Sequence, residues 1–146
     1  MSMKSDFDTF AEKLQEEVLE DARRHYSETV IDHWMNPRNP GKIENPDGYG
    51  KIRGSCGDTM EFFLTVENNT IKKCSFLTDG CGTSIACASI VTGHVRGKDI
   101  EEAKKVTPQV ILQICGGLPP DDEHCAFLAS DTLAAALKHY EEFHLQ

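Results

Sequence analysis

Apolar residues recur every three or four positions between Ser5 and Arg24. Phe7, Phe10, Leu14 and Val18 form one stripe, and Glu12, Glu16, Glu17 and Glu20 form the opposite face. That period predicts an amphipathic helix, and Ser5 with Asp8 three residues on is a helix-start arrangement. The stripe needs a cover, and two are open: the remainder of its own domain, or another subunit. Ser27 to Met35 reads as a second helix. It is stopped by Asn36-Pro37 and then by Asn39-Pro40-Gly41, both turn signals.

The period then drops to two. Met60, Phe62, Leu64 and Val66 alternate with Glu61, Phe63, Thr65 and Glu67, and Asn68-Asn69 leads into Ile71 to Thr78. This predicts a β-hairpin, with Tyr49 to Arg53 as a third strand and Phe62, Phe63 and Phe76 as sheet core. From Thr83 the helical period returns, with Ile85, Ala88 (or Ser89), Thr92 and Val95 on one stripe that ends near Gly97. Asp99 with Glu102 caps a short helix, and Thr107-Pro108 starts another that ends at Cys115-Gly116-Gly117. A last helix is expected from about Glu123 to Phe143, with Phe127, Leu128, Leu133, Ala134 and Leu137 as its apolar positions. Helices, about three strands, then helices predict an α+β fold: a small antiparallel sheet with helices packed against it.

A chain of 146 residues with 39% apolar residues is expected to be one domain with its own core. Fifteen basic against twenty-four acidic side chains give a formal charge of -9. That balance argues against nucleic acid and against an anionic membrane surface. No stretch has signal-peptide character and none approaches membrane-spanning length. Six cysteines then read as reduced thiols, and a cytoplasmic location is the expectation.

Three of the six sit in distinctive local sequence: Cys56 in Ser55-Cys56-Gly57-Asp58, Cys81 in Gly80-Cys81-Gly82-Thr83, and Cys125 in Glu123-His124-Cys125-Ala126. Each falls at an expected element boundary. Glycine after a cysteine permits a tight or left-handed backbone that presents the sulfur. At a helix N-terminus the unpaired amides should lower a thiol's pKa, which makes Cys81 and Cys125 candidates for metal binding and for attack on a sulfur donor. Three sulfurs with Asp58 and His124 make a metal or iron–sulfur site the leading hypothesis. There is no Cys-x-x-Cys pair, so a zinc finger or ferredoxin framework is not supported. Cys74, Cys87 and Cys115 read as small buried hydrophobes. His25, His33, His94, His139 and His144 lie on predicted helices and read as surface or satisfied side chains.

Whole motifs carry a resemblance. Tyr26 to His33, Asn36-Pro37-Arg38-Asn39, Cys56-Gly57-Asp58, Gly80 to Ala86, Leu118-Pro119-Pro120 and His124-Cys125 occur in the order and at the spacing of one family. From about Tyr26 to the C-terminus the chain resembles the iron–sulfur cluster assembly scaffolds, IscU and the N-terminal domain of NifU. The resemblance divides the chain into a helical extension, 1–25, and a scaffold domain of SufE/NifU-like fold, 26–146. It implies a scaffold, not an enzyme, on which a 2Fe-2S cluster is built from Fe2+ and sulfur and then passed to apo-proteins. A cysteine desulfurase would supply the sulfur as a persulfide. Cys56, Asp58, Cys81, His124 and Cys125 would hold the cluster, and Cys125 would accept the persulfide. Similar scaffolds also take up Zn2+ in the same pocket.

Three thiolates with one harder oxygen or nitrogen donor make a site that is easier to empty than four thiolates. His124 and Cys125, adjacent on a helix, project about 100° apart, so exchange between them is expected rather than joint ligation. The chain departs from the family where Leu118-Pro119-Pro120 is followed by Asp121-Asp122 instead of Val-Lys, which puts recognition by a dedicated Hsp70-type chaperone in doubt. The first helix leaves room for a homo-oligomer. The alternative functions are a zinc-binding structural or regulatory protein using the same residues, and a Cys125/His124 nucleophile pair, which lacks an evident third orienting group.

Overall fold

Asn68 and Asn69 both take left-handed backbone angles, φ 53° and 62°, the type I′ geometry whose twist matches the strands of a hairpin. In the computed structural model, which describes residues 5–144, they join β2 (Thr59–Glu67) to β3 (Thr70–Thr78). The first strand, β1 (Gly48–Arg53), pairs antiparallel with β2, giving the sheet order β1-β2-β3. Register places Gly50 opposite Phe62, and Phe62 opposite Phe76. Met60, Phe62, Leu64, Cys74 and Phe76 form one buried face. Phe63 is buried on the other face, as strand alternation requires, with its ring 5.2 Å from that of Tyr49.

The helices are α1 (Asp6–His25), α2 (Glu28–Met35), α3 (Gly82–Val95), α4 (Ile100–Ala103), α5 (Pro108–Cys115) and α6 (His124–His144). Their starts follow the expected caps: Ser5, Ser27, Asp99 and Thr107 each accept a backbone N–H three residues on. The expected α+β architecture of three antiparallel strands and packed helices is present.

β1 carries glycine at 48 and 50 on the face that meets α6. A Cβ at Gly48 would lie 2.7 Å from the Ala136 carbonyl oxygen, and one at Gly50 would lie 2.6 Å from Ala136 N and Thr132 O. Helix backbone therefore rests directly on strand backbone there. His139 on α6 completes the seam, its Nδ1 accepting the Tyr49 N–H at 3.0 Å.

Three expectations need correction. The stripe expected on α3 is not a stripe, because α3 packs against α2, α5, α6 and β3 and is buried nearly all round. On α6, Phe127 and Ala134 are exposed; the buried face runs through Cys125, Leu128, Thr132, Leu133, Leu137 and Tyr140, and those two lie off it. The stripe of α1 is not covered by its own domain: Phe7 and Phe10 are 75% and 63% exposed, and Leu14 and Val18 about half. α1 packs on the body through its last turns, where Ala22 is buried and Arg23 pairs with Glu28 at 3.2 Å. Residues 1–4 of the expected extension, and 145–146, lie outside the described residues. Among those described, no helix is long and apolar enough to cross a membrane.

Candidate functional site

Three connections meet at one end of the sheet; strand register brings two of them together, the β1–β2 turn and the exit from β3. The β1–β2 connection is closed by the Gly54 N–H donating to the Asp58 carbonyl at 2.7 Å and the Gly57 N–H to the Gly54 carbonyl at 3.0 Å. Gly57 has φ +91°, a conformation that explains glycine after Cys56. The turn leaves Cys56 exposed and Asp58 half-buried.

The β3–α3 connection is tied to the same place. Thr78 Oγ1 donates to the Thr59 carbonyl at 2.7 Å and accepts the Gly80 N–H at 3.1 Å. The Asp79 carboxylate accepts the Thr59 N–H at 2.6 Å. Cys81 is the N-cap of α3 in ordinary extended backbone, and its sulfur is exposed. Of the tight or left-handed backbone expected at the flanking glycines, the left-handed form is absent at Gly80 and Gly82; both serve close approach. A Cβ at Gly80 would lie 2.6 Å from Ser84 Oγ and 3.0 Å from Asp58 Oδ2. One at Gly82 would lie 2.5 Å from the indole of Trp34.

The third connection enters α6 through a short 3-10 turn, Pro120–Asp122. The Tyr26 hydroxyl donates to the Asp122 carboxylate, which anchors this segment to the start of α2. Asp121 is exposed, whereas Asp122 is half-buried. Of the two acids that follow the Leu-Pro-Pro segment, one is thus turned inward. Tyr26, Val30, Trp34, Cys81, Thr83 and Asp122 line a cavity of about 250 Å³ beside the Cys81 sulfur.

These connections bring the expected residues together. Ligand atoms of Cys56, Asp58 and His124 lie within 4.8 Å of one another. Cys125 Sγ is 3.6 Å from His124 Nε2. The Ser84 hydroxyl lies 3.4 Å from Asp58 Oδ2, 3.4 Å from Cys125 Sγ and 3.8 Å from Cys81 Sγ. His124 and Cys125 therefore reach the same space, against the expectation that adjacent helical residues diverge.

Electrostatics separates the sulfurs. Burial raises the Cys81 pKa, but hydrogen bonds from the Ser84 and Thr83 amides and the Ser84 hydroxyl outweigh it, and the net shift is downward. This is the helix N-terminal effect expected of that thiol. Cys125 behaves oppositely. It is fully buried, and burial pushes its thiol up to about 12, with the Cys81 charge adding to the rise. The expectation of a lowered Cys125 pKa fails because desolvation exceeds the helix-end field. Cys74 is raised by burial. Cys87 is raised by its contact with Cys115 and by burial, so these inner thiols are packing groups.

Chemically, one thiol, a carboxylate and an imidazole stand within reach of a single ion, and the thiols of Cys125 and Cys81 flank them, a donor set that suits iron or zinc. Two of the sulfurs are open to solvent, which leaves a path for exchange. Sequence reasoning missed Ser84, Trp34 and the Tyr26–Asp122 tie. Ser84 had a signal, because it stands three residues after Cys81 at a helix start, where side chains share a face. Trp34 and Tyr26 had none, since their partners lie far along the chain.

The profile of the NifU-like N-terminal domain matches residues 25–145. An iron–sulfur cluster assembly scaffold protein, IscU 1 of Archaeoglobus fulgidus, is 44% identical over 116 residues, covering 79% of this chain and 76% of its own. The IscU scaffold of Aquifex aeolicus is 43% identical over 118 residues, covering 79% and 75%. Among solved structures, a candidate SUF-system cluster assembly scaffold from Fervidobacterium islandicum AW-1 superposes with TM-score 0.65 at 24% identity, over 77% of this chain and 96% of that one. A NifU-like N-terminal protein from Brucella abortus gives TM-score 0.63 at 17% identity, over 80% and 94%. At those identities the superpositions speak for the shared fold.

Proposed function

The chain belongs to the NifU-like N-terminal domain family, and on that premise we propose that it is a scaffold for iron–sulfur cluster assembly. The observation that carries the reading is the convergence of Cys56, Asp58 and His124, with Cys125 beside His124 and both Cys125 and Cys81 beside Ser84. The finer reading is a 2Fe-2S cluster, built on these residues from Fe2+ and desulfurase-derived sulfur and then released to apo-proteins. Iron and sulfur are cargo here, and the chain's own part is to hold them and let them go.

The electron balance sets a further requirement. Each sulfane sulfur takes up two electrons to become sulfide, and two ferrous ions becoming ferric supply half of the four. An external donor of thiol or ferredoxin class supplies the rest. Cys125 remains the proposed persulfide acceptor. Its buried, protonated sulfur means that transfer needs the start of α6 to open and the thiol to lose its proton. Zn2+ would bind the same donors, but a closed structural zinc site does not fit the exposed sulfurs of Cys56 and Cys81.

Anaerobic incubation with a cysteine desulfurase, cysteine, a reductant and Fe2+ tests the reading. The protein is expected to develop the visible absorption of a cluster and to pass it to an apo-ferredoxin. A colourless protein, or colour that never leaves it, would end the scaffold reading.

A further inference from the structure

Ser84 is fully buried, and its hydroxyl, like that of Ser89, which meets His33 and the Arg38 amide, is turned away from its own helix. Thr92 and Thr132 bond back to the carbonyls of Ala88 and Leu128 at 2.8 and 2.7 Å, the usual resolution for a hydroxyl inside a helix. Ser84, on the first turn of α3, instead faces Asp58, Cys125 and Cys81 at 3.4, 3.4 and 3.8 Å. The Ser84 hydroxyl has one proton to give and two lone pairs; it donates to Asp58 Oδ2, and its contacts with the two sulfurs run in either direction according to their protonation. The residue at position 80 is shaped around the same contact, since a Cβ there would collide with both Ser84 Oγ and Asp58 Oδ2.

We propose that Ser84 is the positioning residue of the metal site. It joins Asp58, on the strand connection, to the sulfurs of Cys81 and Cys125, on the two helices. This rests on reading Cys56, Asp58, Cys81, His124 and Cys125 as the donor set. Asp58 is only half-buried and stands on a loop, so without a buried partner its carboxylate is free to turn to water. The Ser84 hydroxyl, fixed on a helix packed on all sides, holds it toward the sulfurs. Groups that orient metal ligands in this way are worth about 10–100-fold in metal affinity.

The test is Zn2+ affinity by anaerobic competition with a chelating dye, for the full chain and for Ser84→Ala, Asp58→Ala and the double variant. Co2+ spectra and metal-free melting curves accompany it. Ser84→Ala is expected to melt normally, to bind Zn2+ about 10–100-fold more weakly and to shift the Co2+ ligand-field bands. In the Asp58→Ala background the serine change should cost little more, because its effect runs through the carboxylate. Unchanged Zn2+ affinity in folded Ser84→Ala, or an equal loss in both backgrounds, overturns the proposal.

Should Ser84→Ala not fold, Gly80→Ala, which wedges the same contact, is expected to weaken Zn2+ binding. Unchanged binding there overturns the proposal equally. Cluster assembly by the unaltered chain separates the two readings. A chain that assembles clusters but is indifferent to Ser84 sinks the positioning role alone, while Ser84-dependent Zn2+ binding without assembly sinks the scaffold alone.

Discussion

The indole of Trp34 lies against Gly82 so closely that a methyl group there would come within 2.5 Å of ring atoms Cε2 and Nε1. The ring thus roofs the turn that presents Cys81, and it is the chain's single tryptophan. Gly82→Ala is expected to push the ring outward and shift its fluorescence emission to the red. Overpacking of this kind costs about 1–3 kcal/mol, readable as a lower denaturant midpoint. Unaltered emission would show that the ring does not rest on this turn.

Alkylation should separate the two helix-start cysteines. Near neutral pH the metal-free protein is expected to take iodoacetamide at Cys81 well before Cys125, as mapped by mass spectrometry, since only the thiolate of an accessible sulfur reacts. The signs also set the pH dependence of stability. Cys125, held at about 12, stabilises the fold fully below the ordinary thiol pKa of about 8.5. That contribution is lost as pH rises from there through about 12. The denaturant midpoint should therefore fall across that alkaline window, and less steeply in Cys125→Ser.

Asp58→Ala is expected to slow handover of an assembled cluster, followed as decay of visible absorbance in the presence of apo-ferredoxin. The carboxylate is the hard, half-buried oxygen donor of the set, and its removal leaves sulfur and imidazole ligands that exchange more slowly with iron. Equal or faster loss would mean that the exchangeable position lies elsewhere. Slower release of a cluster is compatible with weaker equilibrium binding of a bare ion, because the first is a barrier and the second a difference between end states.

The outer stripe of α1 should be silent in stability. Phe10→Glu and Leu14→Glu alter side chains that are 63% and 50% exposed, so the unfolding free energy from denaturant titration should stay within about 0.5 kcal/mol of the parent. A large drop would mean that the stripe is buried in solution.

Much of the fold was legible because its punctuation is local. Asn68-Asn69 announces the hairpin, and the caps at Ser5, Ser27, Asp99 and Thr107 announce four helix starts within a residue or two. Candidate site residues could be nominated because each stands in a recognisable motif. Two things were not legible. Burial is a property of the assembled whole, so the covering of Cys125, which reverses its expected acidity, could not be read from its place at a helix start. The roles of Gly80 and Gly82 were likewise hidden, because a glycine selected for room looks the same in sequence as one selected for its backbone angle.

The seam between β1 and α6 has a bearing on the donors themselves. Its thickness is that of two bare main chains at Gly48 and Gly50, and His124 and Cys125 ride at the head of the helix lying on it. One methyl group at position 50 would jack the whole rod away from the sheet that carries Cys56 and Asp58 at its rim. The gauge of the candidate site is thus set by two residues that contribute no donor atom to it.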